Sequence, residues 1–391
     1  MANRCDVAVV GVGLVGSAAM RHLSEAGRRC IGIGPPEPAD WSTHNGVFAS
    51  HYDSGRITRR LDKRREWAIL AGRAIDAYPG IEQQSGIGFH RPVGVLMADV
   101  EPDRLDPVVE VANSLGVAFG RYEPGQPFGD DRVAVPAAAT VLREPSPGGF
   151  IDPRRMLSAQ LAIARRQGAE LLDDEVVSID RVRGRGWSVR TIAGTAVEAA
   201  QVLVAAGPHA DEIHGLPQRP LIDVVAETIV MARVSPAEQR RLAGLPSIIL
   251  DDVDDHCYVV PPTEYPDGHV YVKLGATRHD HWVLSAEERR AWMTGADHEA
   301  DLEWLRELML GVLPDLQAAA WCTKPCLIPD TPTKLPYLEI VEPGLVMAVG
   351  TNGYAAKSAD ALGALAAGLV LNRCWTDTEL DATSFELISR D

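Results

Sequence analysis

Hydrophobic and polar positions along the chain alternate between strand-like and helix-like periods. Asp6-Val7-Ala8-Val9-Val10 is a short apolar run that leads straight into Gly11-Val12-Gly13-Leu14-Val15-Gly16. A helical spacing follows, with Ala19, Leu23 and Ala26 on one side and Gly27 at the stop. The pattern predicts strand, tight turn and helix, and Arg29-Cys30-Ile31-Gly32-Ile33 is the next strand. A loop over residues 35–54, rich in Pro, Ser, Thr, Asn and Gly, runs into His51-Tyr52-Asp53-Ser54-Gly55-Arg56-Ile57-Thr58-Arg59-Arg60. The helix expected after it has Leu61, Trp67, Leu70, Ala71 and Ile75 as its apolar stripe, with Lys63, Arg64 and Arg65 on the wet side.

Two short strands are expected over 86–97, a helix over 103–116 and a Pro/Gly/Ala-rich connection over 125–139. A further helix runs to Gly168, with Asp152 as N-cap and Pro153 in its first turn. Strands follow at 170–179, 186–192 and 196–199, and Gln201-Val202-Leu203-Val204-Ala205-Ala206-Gly207-Pro208 reads as a buried strand ending in a Gly-Pro turn. From 217 to about 320 the strands lengthen and alternate (224–234, 269–274), with one long polar helix near 285–313, which predicts an antiparallel sheet. The end regains α/β character. Gly344-Leu345-Val346-Met347-Ala348-Val349-Gly350 is a strand joined by Thr351-Asn352-Gly353-Tyr354-Ala355-Ala356-Lys357 to a buried helix over 358–371. The expected fold class is α/β, α+β overall, in two domains. One is discontinuous (1–80, 145–215 and 325–391), and the other takes 81–144 and 216–324.

Composition narrows the partners. A chain of 391 residues that is 46% hydrophobic can bury a large core, and its net charge of −16 opposes phosphate backbones and anionic membranes. Neither nucleic acid nor membrane is expected as a partner. The N-terminus lacks a charged-then-apolar leader pattern, and Ile388-Ser389-Arg390-Asp391 is no recognisable targeting signal, so the cytoplasm is the expected compartment. Six scattered cysteines suit reduced thiols better than a disulfide framework.

The first turn carries the clearest chemistry. Gly11 permits the sharp turn, Gly13 lets backbone approach a pyrophosphate, Gly16 lets helix and strand pack closely, and the helix N-terminus offers N–H groups and positive dipole to phosphate. A dinucleotide is the expected ligand, against the bland alternative of an ordinary βαβ turn. One position departs from the fingerprint. Gly34 stands where an acid usually binds ribose hydroxyls, and Glu37 is the candidate substitute.

The order of these motifs resembles the FAD-dependent amine oxidases of the D-amino acid oxidase superfamily. The N-terminal glycine turn, the mid-chain Leu-Val-Ala-Ala-Gly-Pro strand and the late Gly350-to-Lys357 turn and helix carry the likeness. The branch it is most similar to holds monomeric sarcosine oxidase, pipecolate oxidase and N-methyl amino acid oxidases. The resemblance implies a Rossmann-like FAD domain and a mainly antiparallel substrate domain. Flavin contacts are implied at Gly11, Gly13, Leu14, Val15, Gly16, Val176, Gly207, Gly350, Asn352, Gly353 and Tyr354. Arg56-Ile57-Thr58-Arg59 is similar to a segment whose first Arg lies by the flavin and whose second takes the substrate carboxylate. Lys357 falls where a second carboxylate ligand stands. Val272-Lys273-Leu274-Gly275 resembles the segment whose Lys activates oxygen, Cys326 falls where FAD is tethered by a thioether, and Tyr258 resembles an aromatic lining the substrate face. His209 follows Gly207-Pro208 where an aromatic is usual.

The chemistry wants such residues. Oxidation beside nitrogen requires the reacting carbon to be held over the flavin, and Arg59 and Lys357 together would fix a carboxylate and favour the neutral amine. An ammonium at Lys273 would stabilise superoxide as oxygen is reduced, although Tyr271, Lys273 and Gly275 share a strand face that by pattern alone is core or solvent. Lys324 is the nearby cation that would activate the Cys326 thiol; the competing readings are an inert cysteine or half of a metal site with Cys322. His51 is a candidate contact to flavin or amine, and Glu227 an acid of the second domain worth following. The expected activity is oxidation of a secondary-amine or N-methyl amino acid to an imine with production of hydrogen peroxide, by a monomer with no metal. The alternatives are a flavin dehydrogenase of D-amino or 2-hydroxy acids using another acceptor, and a non-catalytic or nicotinamide-binding Rossmann protein.

Overall fold

The computed structural model describes residues 3–44, 46–184, 186–251, 256–277 and 283–390. Asp391, the last residue of the Ile388-Ser389-Arg390-Asp391 stretch, lies outside them. The short apolar run becomes β1 (Asn3–Val10), the glycine turn leads into α1 (Leu14–Glu25), and β2 (Cys30–Ile33) returns parallel to β1. β1 lies between β2 and the strand Ala196–Val204, also parallel, with Val9 opposite both Gly32 and Leu203. Central parallel strands are covered on both faces, which explains why this run is apolar throughout. Val7 and Val9 face a core shared with α1 and the C-terminal helix Ala355–Asn372, and Ala8 and Val10 face a second core with Val202, Val204 and Tyr337.

Among the described residues this first sheet has eight strands. Leu345–Val349 adds parallel to Ala196–Val204, and Val176–Val182 and Gly186–Thr191 extend it antiparallel. The second sheet also has eight, in the order Ala318–Asp330, Asp223–Val234, Val270–Thr277, His256–Glu264, Ser247–Asp251, Val95–Asp99, Thr140–Glu144, Gly120–Tyr122. Its pairs are antiparallel except Ser247–Asp251 with Val95–Asp99. A three-stranded sheet of Arg56–Thr58, Gly149–Ile151 and His90–Arg91 joins segments from distant parts of the chain. No helix among the described residues is long and apolar enough to cross a membrane.

Several elements differ from the sequence pattern. The helix expected near 285–313 is broken into Ala286–Thr294, a short 3-10 turn Asp297–Asp301 and Leu302–Val312. Gly295 ends the first piece in extended backbone (φ −82°, ψ −175°), so it acts as a stop where the polar periodicity suggested continuity. α2 (Arg65–Ser85) starts four residues after Leu61, because Glu144 accepts the backbone N–H groups of Arg60 and Leu61 and Asp62 accepts that of Arg64. The C-terminal helix begins at Ala355, which puts Lys357 in its first turn rather than in the preceding loop. The strands expected at 196–199 and from 201 are one, Ala196–Val204. Ala318–Asp330 stays in the second sheet beyond residue 324.

The C-terminal helix crosses α1 at very short range. A Cβ on Gly363 would stand 2.5 Å from Ala18 Cβ and 2.6 Å from Ala19 N, so glycine is required for the approach. Beside this contact Arg21 donates to Asp360 (2.7 Å) and Gln160 (2.6 Å), tying α1 to two helices. Gly363→Val is expected to cost about 1–3 kcal/mol through overpacking, seen as a lowered Tm. Gly368→Ala, whose nearest heavy atom would be Asn372 Nδ2 at 3.9 Å, should be neutral or gain up to about 1 kcal/mol of helix propensity.

Candidate functional site

Two adjoining clefts meet where the sheets come together, and Leu14, Ser50, Thr351 and Ala355 line both. The first runs along the glycine turn and includes Gly11, Gly13, Gly34, His51, Val176 and Gly207. Gly11 has φ +91° and its absent Cβ would lie 2.5 Å from Ala205 O, so the turn is fixed by the neighbouring strand. Gly13 differs, because the nearest atom to a Cβ there is His51 Nδ1 at 3.8 Å, and a side chain would enter the cleft. α1 begins at Gly13 with no side-chain cap and no acid in its first turn, which leaves its N-terminal dipole facing the cavity.

His51 Nδ1 is buried without a hydrogen-bond partner among the described residues. Burial, aided by the Arg154 cation, pushes the ring down to about 3, so it is neutral at physiological pH. An uncapped helix end, an orphaned polar atom and a cradle that a Cβ at position 13 would fill suit an extended dinucleotide. Gly34 also has a local reason, since a Cβ there would come within 3.0 Å of Val12 N in the turn itself. Glu37 is bound by Arg154 through two contacts of 2.6 Å. His209 fastens the Gly207 turn to the 47–50 loop, with Nδ1 2.7 Å from Glu212 and Nε2 3.2 Å from Phe48 O.

The second cleft contains Arg56, Arg59, Tyr258, Cys326, Lys357 and Glu227 in its wall. Arg59 and Lys357 reach it from different elements and converge on one acceptor, Asp62 Oδ2, at 3.1 Å and 2.5 Å. Asp62 is 4% exposed; burial alone would raise its carboxyl, but the Lys357 and Arg59 cations hold it well below the usual range. Lys357 is pulled down to about 8 by burial and by Arg59. Its Nζ lies 4.5 Å from the centre of the Tyr354 ring, which stacks on Trp67. Asn352 (φ 51°) braces the same turn by accepting from Thr331 N (2.8 Å) and donating to Gly350 O (2.7 Å).

Lys273 settles the question of its strand face, since it is 1% exposed and points into the core. Its Nζ donates to Asp53 Oδ2 (2.6 Å) and to Gly55 O. Gly275 stands opposite Tyr258 in the neighbouring strand, and a Cβ there would meet the Tyr258 ring at 2.5 Å. The glycine of Lys-Leu-Gly is thus what seats the tyrosine. Arg56 links the parts, reaching Asp53 (3.1 Å), Tyr258 Oη (3.4 Å) and Cys326 Sγ (3.4 Å).

Arg56, not Lys324, is the cation that faces Cys326; Lys324 Nζ sits over the rings of Trp41 and Tyr265 at 5.3 and 5.5 Å. Cys322 and Cys326 are four residues apart on one extended strand, about 13 Å at the strand rise, too far to share a metal. Glu227 is 8% exposed and stands opposite Cys326 in the adjacent strand. The residues that sequence reasoning passed over are Asp53, Asp62 and Glu144. Each of the two aspartates lies three positions from an arginine of the quoted segment, a spacing that was the available signal.

Comparison with known proteins adds the lineage. The family model described as FAD dependent oxidoreductase matches residues 6–369. A monomeric sarcosine oxidase of Streptomyces avermitilis is 29% identical over 220 residues, 54% of this chain and about half (54%) of that protein's length. A probable sarcosine oxidase of Arabidopsis thaliana is 24% identical over 94% of this chain and 88% of its own. Among solved structures, NikD, an amino acid oxidase essential for nikkomycin biosynthesis, superposes with a TM-score of 0.75 at 20% identity, covering 99% of this chain and 98% of its own.

The geometry at position 13 yields a sharp test of the first cleft. Gly13→Val should fold with the melting profile of FAD-free wild-type protein yet lose most bound yellow chromophore, because its side chain occupies the cleft and not the protein. Retention of a full visible spectrum would remove the turn from cofactor binding.

Proposed function

We propose, from the premise that this chain belongs to the family of FAD dependent oxidoreductases, that it oxidises a secondary-amine or N-methyl amino acid to the imine and reduces dioxygen to hydrogen peroxide. The observation that carries this reading is the convergence of Arg59 and Lys357 on one carboxylate in the wall of the second cleft. Bound in the first cleft, FAD supplies the acceptor for a hydride equivalent from the carbon beside nitrogen. The substrate gives up two electrons and two protons in becoming the imine, and dioxygen takes up the same two electrons and two protons.

The chain's own residues do the rest. Arg59 offers a planar fork and Lys357 a point charge, so a substrate carboxylate is both oriented and held. Asp62 and Glu144 both act on these cations and temper their positive field. That field also favours the neutral amine, the form whose lone pair can drive the oxidation. Tyr258 and Tyr354 supply aromatic walls that exclude water, and Lys273 supplies an ammonium where oxygen is reduced. His51, neutral and with Nδ1 unengaged, is placed in this reading as a donor or acceptor to the cofactor. We assign Cys326 as the covalent tether. A thioether there would replace its S–H and one ring-methyl C–H, with two electrons and two protons passing to dioxygen. Arg56, facing Cys326 Sγ, supports that assignment. We further take the protein to act as a monomer.

Two tests follow. In wild-type protein the yellow colour should stay with the acid-precipitated pellet, and in Cys326→Ala it should move to the supernatant; a colourless wild-type pellet returns Cys326 to an ordinary buried thiol. Arg59→Ala and Lys357→Ala should each cost about 2–4 kcal/mol of transition-state stabilisation, or roughly thirty- to a thousand-fold in kcat/KM. Flavin content should be retained in both. Because both cations serve one carboxylate, the double variant should lose less than the product of the singles.

A further inference from the structure

Lysine is scarce in this chain. Only five of its 38 basic side chains are Lys, and two of those, Lys273 and Lys357, are buried at 1% and 3% exposure. Lys273 lies in a dry seam between the two strands that flank its own. The groups around it come from every element packed there. Asp53 and Arg56 approach from the 53–58 segment, Tyr258 from the neighbouring strand with its ring centre 5.3 Å from Nζ, and Cys326 from the strand Ala318–Asp330. Tyr265 donates to Asp53, Lys324 stands over the Tyr265 ring, and Arg154 acts on Asp53 from the helix Pro153–Arg166. Three further cations therefore crowd the region, and Asp53 is the carboxylate in contact with Lys273.

Asp53 is itself saturated. It is 4% exposed and accepts from Lys273 (2.6 Å), Arg56 Nε (3.1 Å), Tyr265 Oη (2.7 Å) and Ser54 N (2.8 Å). Four donors in fixed directions leave the carboxylate no room to turn, so it aims the Lys273 ammonium as well as balancing it.

We propose that Asp53 is a positioning residue for the oxygen half of the reaction, whose buried carboxylate keeps Lys273 protonated and pointed while Arg56 occupies the same pocket. This rests on the reading of Lys273 as the group beside FAD that assists dioxygen. Removal of the Asp53 charge leaves a desolvated ammonium next to a guanidinium, and the ammonium then sheds its proton to water. Burial and Arg56 already bring Lys273 down to about 8, against the raising pull of Asp53. The assisting form is thus present below about pH 8 and lost as pH rises through it, and loss of Asp53 moves that limb toward acid.

The test uses the FAD-loaded protein labelled with ¹³C at the lysine Cε, where five lysines give a resolvable spectrum and Lys273→Met identifies one resonance. In Asp53→Asn the Lys273 titration midpoint should fall by about one unit or more, a tenfold or larger loss of proton affinity. Reoxidation of the reduced protein in air at pH 7.5 should slow by about threefold or more, the loss of protonated Lys273 that a one-unit fall from about 8 gives there, its alkaline limb should shift to lower pH, and anaerobic reduction by substrate should not share the loss. Asp53→Glu should restore the midpoint. If the Asn protein does not fold, Asp53→Ser carries the same expectations. An unchanged midpoint in the neutral variant, or a loss of anaerobic reduction as large as that of reoxidation, overturns the proposal. Reoxidation of Lys273→Met as fast as wild type overturns instead the underlying reading of Lys273.

Discussion

Two buried carboxylates hold four buried or half-buried cations at the junction of the sheets. Asp53 takes Lys273 and Arg56, and Asp62 takes Lys357 and Arg59. Ions in a low-dielectric interior persist only when paired and hydrogen-bonded, and the loss of one partner strands the other. That constraint explains the local chain path. The 53–62 segment leaves the first sheet's loops, forms a short strand with Gly149–Ile151 and delays the start of α2, so that its acids can meet lysines from the second sheet and from the C-terminal helix. Each carboxylate is shared by two cations, and Glu144 adds a second acid acting on Arg59 and Lys357.

The glycine turns supply the complementary half. Gly11 and Gly13 differ in what they permit, since one is packed against Ala205 and the other faces open cleft. The same division recurs at the C-terminal helix, whose N-terminus at Tyr354 has no side-chain cap and no acid in its first turn. Two uncapped helix ends thus open on adjoining cavities, one lined by small residues and neutral His51, the other by Arg59 and Lys357. An extended cofactor in the first and a small anionic amine in the second is the arrangement the charges favour.

Much of this was legible in the sequence because it rests on local rules. A strand, glycine turn and helix are written in consecutive residues, and so are the N-cap at Asp152 and the strand ending at Gly207. What the sequence did not disclose was long-range pairing. Lys273 on an alternating strand is ambiguous until Asp53, distant in the chain, is seen beside it, and Lys324 looked like the partner of Cys326 only because it is near in number. Asp62 was hidden for another reason: the apolar stripe from Leu61 onward suggested a helix already begun, whereas Glu144 from another sheet captures the amides that such a helix would have used. The broken helix near 295 follows the same logic, because periodicity continues across a glycine that the backbone uses as a stop.

In the proposed reaction the second cleft binds an amino acid by its carboxylate and oxidises it at the carbon beside nitrogen. The most direct measurement is anaerobic titration of the wild-type protein with an N-methyl or cyclic secondary amino acid, and separately with the decarboxylated amine, while the flavin absorbance is followed. Stoichiometric bleaching by the acid and little by the amine at equal concentration is the expected result. Equal bleaching by both, or by neither across secondary amino acids, would contradict it.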